Sequence, residues 1–300
     1  IGDGGQHEML RALELSPDAF AAIIAHCEAS GVGFLCTPFD PQSLDALVTD
    51  FGQTLLKFGS GDLTNAPLLH QAARLGCDLI LSTGMADLVE VETALGVAAH
   101  GYGDGPPSSD AFANSWKAPV LRARMKEKVA LLHCTSQYPA DPADVNLSAM
   151  STLRDAFGLM TGYSDHTLGD AIPLAAIAQG AQILEKHITL DKSASGPDHA
   201  ASMEPQDFIQ LAQRIRTLET ALGDGVKAPR PAEADIAAVA RKSVVAARDI
   251  AQGEVFTSDN LTIKRPSGGL APIRFWDLIG RAADRDYKPD EAISPEALDD

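Results

Sequence analysis

Five short apolar stretches of this 300-residue chain each hand over to residues that can do chemistry. Lys57 lies inside Leu55-Leu56-Lys57-Phe58 and is followed by Gly59-Ser60-Gly61. Ser82-Thr83-Gly84 closes the next stretch, and His133-Cys134-Thr135-Ser136-Gln137-Tyr138 the one after. Ser164-Asp165-His166-Thr167 and Glu185-Lys186-His187 end the last two. Amides of small turns, hydroxyls and one ammonium suit a phosphate, although each glycine turn taken singly also reads as an ordinary connection. His166 and His187 end successive stretches. Two imidazoles there could share a divalent cation and leave positions open for substrate; a packed, hydrogen-bonded role for both is the other reading. Glu185 and His187 alternate onto one face of an extended segment. There Glu185 either orients the imidazole, coordinates beside it, or pairs with Lys186 or Lys192. In Ser195-Gly196-Pro197-Asp198-His199, Asp198 either accepts from sugar hydroxyls or is a plain turn residue, and His199 reads as part of the loop.

Positioning these residues needs a scaffold with a repeating plan. Apolar runs at 33–39, 54–60, 78–83, 129–135, 159–164 and 182–189 alternate with segments of helical period at 41–51, 66–75, 87–95, 146–157, 171–179 and 204–222. A helix at 16–30 precedes them. Pro205 near the start and Gly223 just past the end frame the last helix. Such alternation predicts a parallel sheet with right-handed crossovers. Runs that are apolar throughout predict strands covered on both faces. Sites in parallel α/β folds form at the carboxyl edge of the sheet, so the Lys, Ser, Thr, Tyr and His residues are predicted to meet on one rim. Six βα units fall short of the eight in a closed barrel. Either two units are missing from the pattern or the sheet is open and doubly wound; spacing does not choose. The connection 96–128, with its Gly/Pro/Ser stretch at 101–109, predicts a long loop. The barrel-type domain is placed at 1–222, a linker at 223–237, and a small β-rich domain at 238–300.

Composition narrows the function. The chain is 45% hydrophobic and 22% charged, as globular domains are. No run approaches the ~18 apolar residues of a membrane span, and Ile1-Gly2-Asp3-Gly4-Gly5 is no signal peptide. The absence of an initiator Met suggests that an opening segment precedes Ile1. A net charge of −17 argues against nucleic acid or an anionic membrane as partner. An anionic substrate must therefore meet a local cluster of donors. Four scattered cysteines, Cys27, Cys36, Cys77 and Cys134, read as reduced thiols of a cytoplasmic protein.

Taken together, the motifs resemble the sialic acid (N-acetylneuraminate) synthase family, with its legionaminic and pseudaminic acid synthase relatives. They are Phe34-Leu35-Cys36-Thr37-Pro38-Phe39-Asp40, Lys57-Phe58-Gly59-Ser60-Gly61-Asp62, Leu81-Ser82-Thr83-Gly84-Met85, Leu132-His133-Cys134-Thr135, Gly162-Tyr163-Ser164-Asp165-His166-Thr167-Leu168-Gly169, Glu185-Lys186-His187 and Gly196-Pro197-Asp198-His199. Ala240-Arg241-Lys242-Ser243 and Lys264-Arg265-Pro266 extend the likeness into the second domain. The resemblance implies a (β/α)₈ TIM barrel followed by an antifreeze-like (SAF) domain, in a domain-swapped homodimer whose small domains cap the partner barrels. It implies condensation of phosphoenolpyruvate with N-acetylmannosamine or a related N-acyl hexose, with C–O cleavage. The products are a nine-carbon 2-keto sugar acid and phosphate. On the same footing, Mn²⁺ or Mg²⁺ would sit on His166 and His187. Lys57, Ser60, Ser82 and Ser164 would hold the phosphate and carboxylate, with Thr37 lining that pocket. Tyr138 and Asp198 would touch the sugar, and Arg265 of the partner's small domain would reach its N-acyl carbonyl, a role suited to a fixed, always-charged fork.

The chain departs from the family at the sugar side. Asp62 stands where members usually have Glu, which is one methylene longer, and Ser136 stands where some have Asn. The family's opening segment, expected to supply two strands and further pocket residues, is not seen. These departures bear on which hexose is used. A second expectation is a non-catalytic barrel, or a shortened inactive one, that binds sugar phosphate.

Overall fold

Proline in the first turn, often behind a short polar cap, opens many of the helices. The computed structural model describes residue 8 and residues 11–299 apart from residue 197. The opening residues 1–5 and Pro197, read above, lie outside the described residues. Helix α1 (Pro17–Ala29) starts at Ser16, whose hydroxyl accepts from the Ala19 amide. Helix α2 (Pro41–Thr49) starts at Asp40, which accepts from the Ser43 amide. Strand β1 (Leu55–Phe58), α3 (Ala66–Arg74), β2 (Asp78–Ser82) and α4 (Leu88–Gly101) follow. Next come α5 (Ser109–Lys117), α6 (Pro119–Lys128), β3 (Val129–Cys134), α7 (Ala149–Phe157), β4 (Met160–Asp165), α8 (Ala171–Ala178), β5 (Leu184–Lys186) and α9 (Pro205–Leu222).

The five strands pair in parallel in the order β1-β2-β3-β4-β5, the arrangement of a partial TIM-type barrel wall. Side chains alternate across it. Leu56, Phe58, Leu79, Leu81, Val129 and Leu131 turn toward the helices and form the main core, each burial contributing roughly 1.5–3 kcal/mol. The intervening positions face the other way, and these carry Lys57, Ser82, Cys134, Ser164 and Glu185.

Two expectations are corrected. Residues 33–39 form no strand, so among the described residues the parallel sheet holds five strands rather than six. Gln53 occupies the edge that a further strand would take. Its Oε1 accepts from the Cys36 amide at 3.0 Å and its Nε2 donates to the Cys36 carbonyl at 2.7 Å. The segment 96–128 is not a loop. Ser108 caps α5 by accepting from the Ala111 amide, and Pro119 opens α6 directly after. Only 102–108 and the single extended residue Ala118 lie outside helices.

The chain divides after Gly223 into two compact units. In the second, Pro231–Glu233 is a single 3₁₀ turn and α10 (Ala234–Ala240) a short helix, so part of the expected linker is helical. Strands β6 (Ser243–Ala246) and β7 (Leu261–Lys264) pair antiparallel. Isolated bridges at Val245–Ala292, Ile250–Tyr287 and Val255–Ala282 extend the β pattern. Val244, Ile250, Phe256, Tyr287 and Ile293 make its separate core.

Candidate active site

Because the inward positions of five neighbouring strands converge, one cavity of 270 Å³ collects Lys57, Ser82, Cys134, Ser164 and Glu185. Residues just past the strand ends add Ser60, Tyr138, His166 and His187. These are residues of four types expected on one rim, delivered from distant parts of the chain.

The anion side is built from hydroxyls and one ammonium. Ser82 is 2% exposed, and its Oγ is buried with no hydrogen-bond partner among the described residues. Buried hydroxyls are normally paired, so this one is an open position for a ligand. Ser60 Oγ lies 3.1 Å from Ser136 Oγ and 3.8 Å from Cys134 Sγ. Gly84 permits that approach: a Cβ there would fall 2.5 Å from Ser136 Oγ and 2.7 Å from Ser60 Oγ. Lys57 Nζ stands 3.3 Å from Glu185 Oε2. Ser164 Oγ donates to the same oxygen at 2.5 Å. One carboxylate thus occupies two of the cavity's donors.

The imidazoles meet on the other side. Their ring centroids are 5.3 Å apart at 77°. Tyr138 lies 4.2 Å from His166 and 5.5 Å from His187. His166 Nδ1 is 2.7 Å from the Thr135 carbonyl, which can only accept, so the proton is assigned to Nδ1 and Nε2 keeps its lone pair. Burial holds this imidazole below its ordinary pKa, against the opposing pull of the Thr135 carbonyl, so it is neutral at pH 7. Burial, with Cys134, Asp198 and Glu185 nearby, pushes the Tyr138 hydroxyl up, keeping it a donor. His187 Nδ1 lies 3.9 Å from Asp198 Oδ2.

Among the described residues no group of three His, Cys, Asp or Glu side chains forms a full metal site. The donor set nevertheless fits a cation held at two points. The rings meet edge to face at close range, His166 is fixed in the neutral tautomer, and among the described residues no hydrogen bond falls on either Nε2. Remaining positions would go to water or substrate.

Other expected residues stand outside the cavity lining. Thr37 lies in the segment 33–39, which forms no strand. Asp62 accepts from Asn65 Nδ2 at 3.1 Å, and Ser136 reaches the cavity only through Ser60. Arg265 belongs to the second unit, where its Nε donates to the Ala240 carbonyl at 2.9 Å. Glu185 was left undecided by the sequence. Its alternation with His187 signals the shared face, but nothing local signals its reach to Lys57.

Residues 2–227 match the NeuB family and residues 241–299 the SAF domain. The chain is 43% identical over 291 residues to the N,N'-diacetyllegionaminic acid synthase of Campylobacter jejuni, covering 97% of this chain and 80% of that protein. It is 42% identical over 275 residues to the synthase of the same name from Legionella pneumophila, covering 92% and 72%. Among solved structures, the N-acetylneuraminic acid synthetase of Leptospira borgpetersenii superposes with a TM-score of 0.61 at 34% identity, over 74% of this chain and 70% of that one.

Proposed function

The chain belongs to the NeuB family and carries a SAF domain, and from that premise we propose that it condenses phosphoenolpyruvate with an N-acyl hexose, giving a nine-carbon 2-keto sugar acid and phosphate. The carrying observation is one cavity in which the Lys57 ammonium and three serine hydroxyls stand beside two imidazoles packed edge to face. The two relatives above, named for an N,N'-diacetyl product, support a hexose with two acetamido groups.

Lys57, Ser60, Ser82 and Ser164 take the phosphate and carboxylate of phosphoenolpyruvate. An incoming anionic oxygen replaces Glu185 Oε2 on Lys57 and Ser164, and the freed carboxylate turns toward the mouth. Thr37 lines the phosphoenolpyruvate pocket, and Tyr138 and Asp198 receive sugar hydroxyls, with Asp62 and Ser136 on the sugar side. The new bond joins C3 of phosphoenolpyruvate to the sugar's aldehyde carbon; water adds at C2, and the C–O bond to phosphate breaks. The Lys57 ammonium stabilises the charge on the departing phosphate. His166 and His187 would hold a divalent cation, Mn²⁺ or Mg²⁺, which when bound supplies Lewis-acid polarisation of a carbonyl. Arg265 from a partner's SAF domain, in a domain-swapped homodimer, would close the mouth over the N-acyl group. Free thiols at all four cysteines support a cytoplasmic setting.

The test is phosphate release measured with phosphoenolpyruvate, Mn²⁺ and either 2-acetamido or 2,4-diacetamido hexoses. Release is expected only when all three are present, and faster with the diacetamido sugar. Binding of phosphoenolpyruvate without release for any such hexose would overturn the enzymatic reading in favour of a sugar-phosphate-binding barrel.

A further inference from the structure

The two imidazoles stand one residue beyond the last β4–β5 pair. The β4–β5 register ends at Asp165↔Lys186, and β4 and β5 themselves end at these residues. His166 and His187 are each the next residue. Ladder hydrogen bonds between β4 and β5 therefore stop below the rings; beyond them the His166 carbonyl accepts from the Ala140 amide at 2.8 Å and the His187 carbonyl from the Met203 amide at 2.9 Å, ties to other segments that do not join the two histidine residues to each other.

A buried charged cluster continues the tie. Lys186 Nζ lies 2.6 Å from Asp165 Oδ2, and their side chains are 2% and 0% exposed. The same ammonium donates to the Thr167 carbonyl. Asp165 Oδ1 accepts from the Thr167 amide at 2.9 Å and from its hydroxyl at 2.8 Å. Every one of these bonds lands on a residue adjacent to a ring: Asp165 and Thr167 flank His166, and Lys186 precedes His187. Side chains alternate along a strand, so the pair lies on the side of its strands opposite Ser164 and Glu185; Lys186 borders the cavity, but its ammonium is taken up by Asp165 and the Thr167 carbonyl. Desolvation offsets most of what such a buried pair contributes, and an apolar pair of similar volume would stabilise the fold as well. Stability alone does not account for it.

We propose that Lys186, Asp165 and Thr167 form a positioning device that fixes the separation of the His166 and His187 rings and thereby sets the site's affinity for a divalent cation. It rests on the reading of those two histidines as the cation's holders.

The experiment titrates Mn²⁺ into the whole chain, following free Mn²⁺ by electron paramagnetic resonance, with thermal unfolding recorded alongside. Asp165→Asn/Lys186→Met removes both charges at nearly constant volume, so neither partner is left alone. It is expected to unfold cooperatively near the wild-type temperature yet bind Mn²⁺ about tenfold more weakly or worse, the scale seen when groups supporting metal ligands are lost. Thr167→Val keeps the ion pair and deletes one hydrogen bond, with an expected weakening of about threefold; it decides the matter if the double variant does not fold. Wild-type Mn²⁺ affinity in the folded variants overturns the positioning role and leaves the histidine assignment standing. Wild-type affinity in His166→Ala overturns both.

Discussion

A hydroxyl with no partner inside a folded protein is a liability unless something arrives to use it. Ser82 Oγ is such a group, and its removal separates structure from binding. A buried hydroxyl without a partner costs on the order of 1–3 kcal/mol, and replacing it with an apolar group relieves that cost. Ser82→Ala is therefore expected to melt at or slightly above the wild-type temperature. The KM for phosphoenolpyruvate is expected to rise by about tenfold, the equivalent of one lost hydrogen bond. A fall in melting temperature with an unchanged KM would show that the hydroxyl serves the fold. At this scale the sequence spoke clearly about residue types and vaguely about partners. Glu185 illustrates the limit. Its face followed from alternation, but its bonds to Lys57 and Ser164 depend on β1 and β5 standing at opposite edges of one sheet that curls around the cavity.

Elements meet where two glycines and two histidines set the terms. A Cβ on Gly162 of β4 would fall 2.4 Å from the Ile183 carbonyl and 2.6 Å from Leu132 Cδ2. The first of these is backbone and cannot swing away, so β4 would be pushed off its neighbour. Gly162→Ala is expected to cost about 1–3 kcal/mol or more, as overpacking does, seen as a lower urea midpoint. Gly33→Ala, whose Cβ meets nothing within 4 Å, serves as the control and is expected to leave the midpoint in place. Between α3 and α4, His70 Nε2 lies 3.0 Å from His100 Nδ1. Burial, then the charge of His100, then that of Arg74, hold the His70 pKa below its ordinary 6.5. The unfolded chain thus takes up this proton more readily than the folded one, so stability rises with pH. The contribution is complete above about pH 6.5 and is lost as pH falls toward the folded value, at up to ~1.4 kcal/mol per pH unit. Urea unfolding at pH 7.5 and pH 5.5 is expected to show a smaller loss for His70→Gln than for wild type; an equal loss would place the sensitivity elsewhere. Most of the βα alternation was legible because buried parallel strands announce themselves as apolar runs. The exceptions have local causes. The run at 33–39 is apolar, but strand is a paired state, and Gln53 supplies the pairing there. The stretch 96–128 looked irregular because Gly101 to Ser108 breaks the period between two well-capped helices.

At the scale of the whole molecule, charge opposes the substrate. The chain carries −17, while phosphoenolpyruvate is a polyanion and the cavity offers one clear cationic donor, Lys57, already facing Glu185. Two fields therefore act on the approaching anion. The long-range field is repulsive and comes largely from exposed carboxylates. The short-range field is attractive and comes from a Lys57 side chain only 16% exposed. Salt does not treat them alike. The Debye length shrinks from ~30 Å at 0.01 M to ~8 Å at 0.15 M, and exposed charges are screened far more than buried ones. Raising ionic strength over that range removes most of the repulsion and leaves most of the attraction. The kcat/KM for phosphoenolpyruvate is therefore expected to rise, by about two- to fivefold, when an inert salt is taken from 0.01 to 0.15 M, the reverse of the usual loss for an anion steered to a basic site. Steady-state rates at fixed hexose and Mn²⁺ measure it directly. A fall over the same range would mean that the potential at the mouth is positive despite the net charge, and that residues beyond Lys57 draw the anion in.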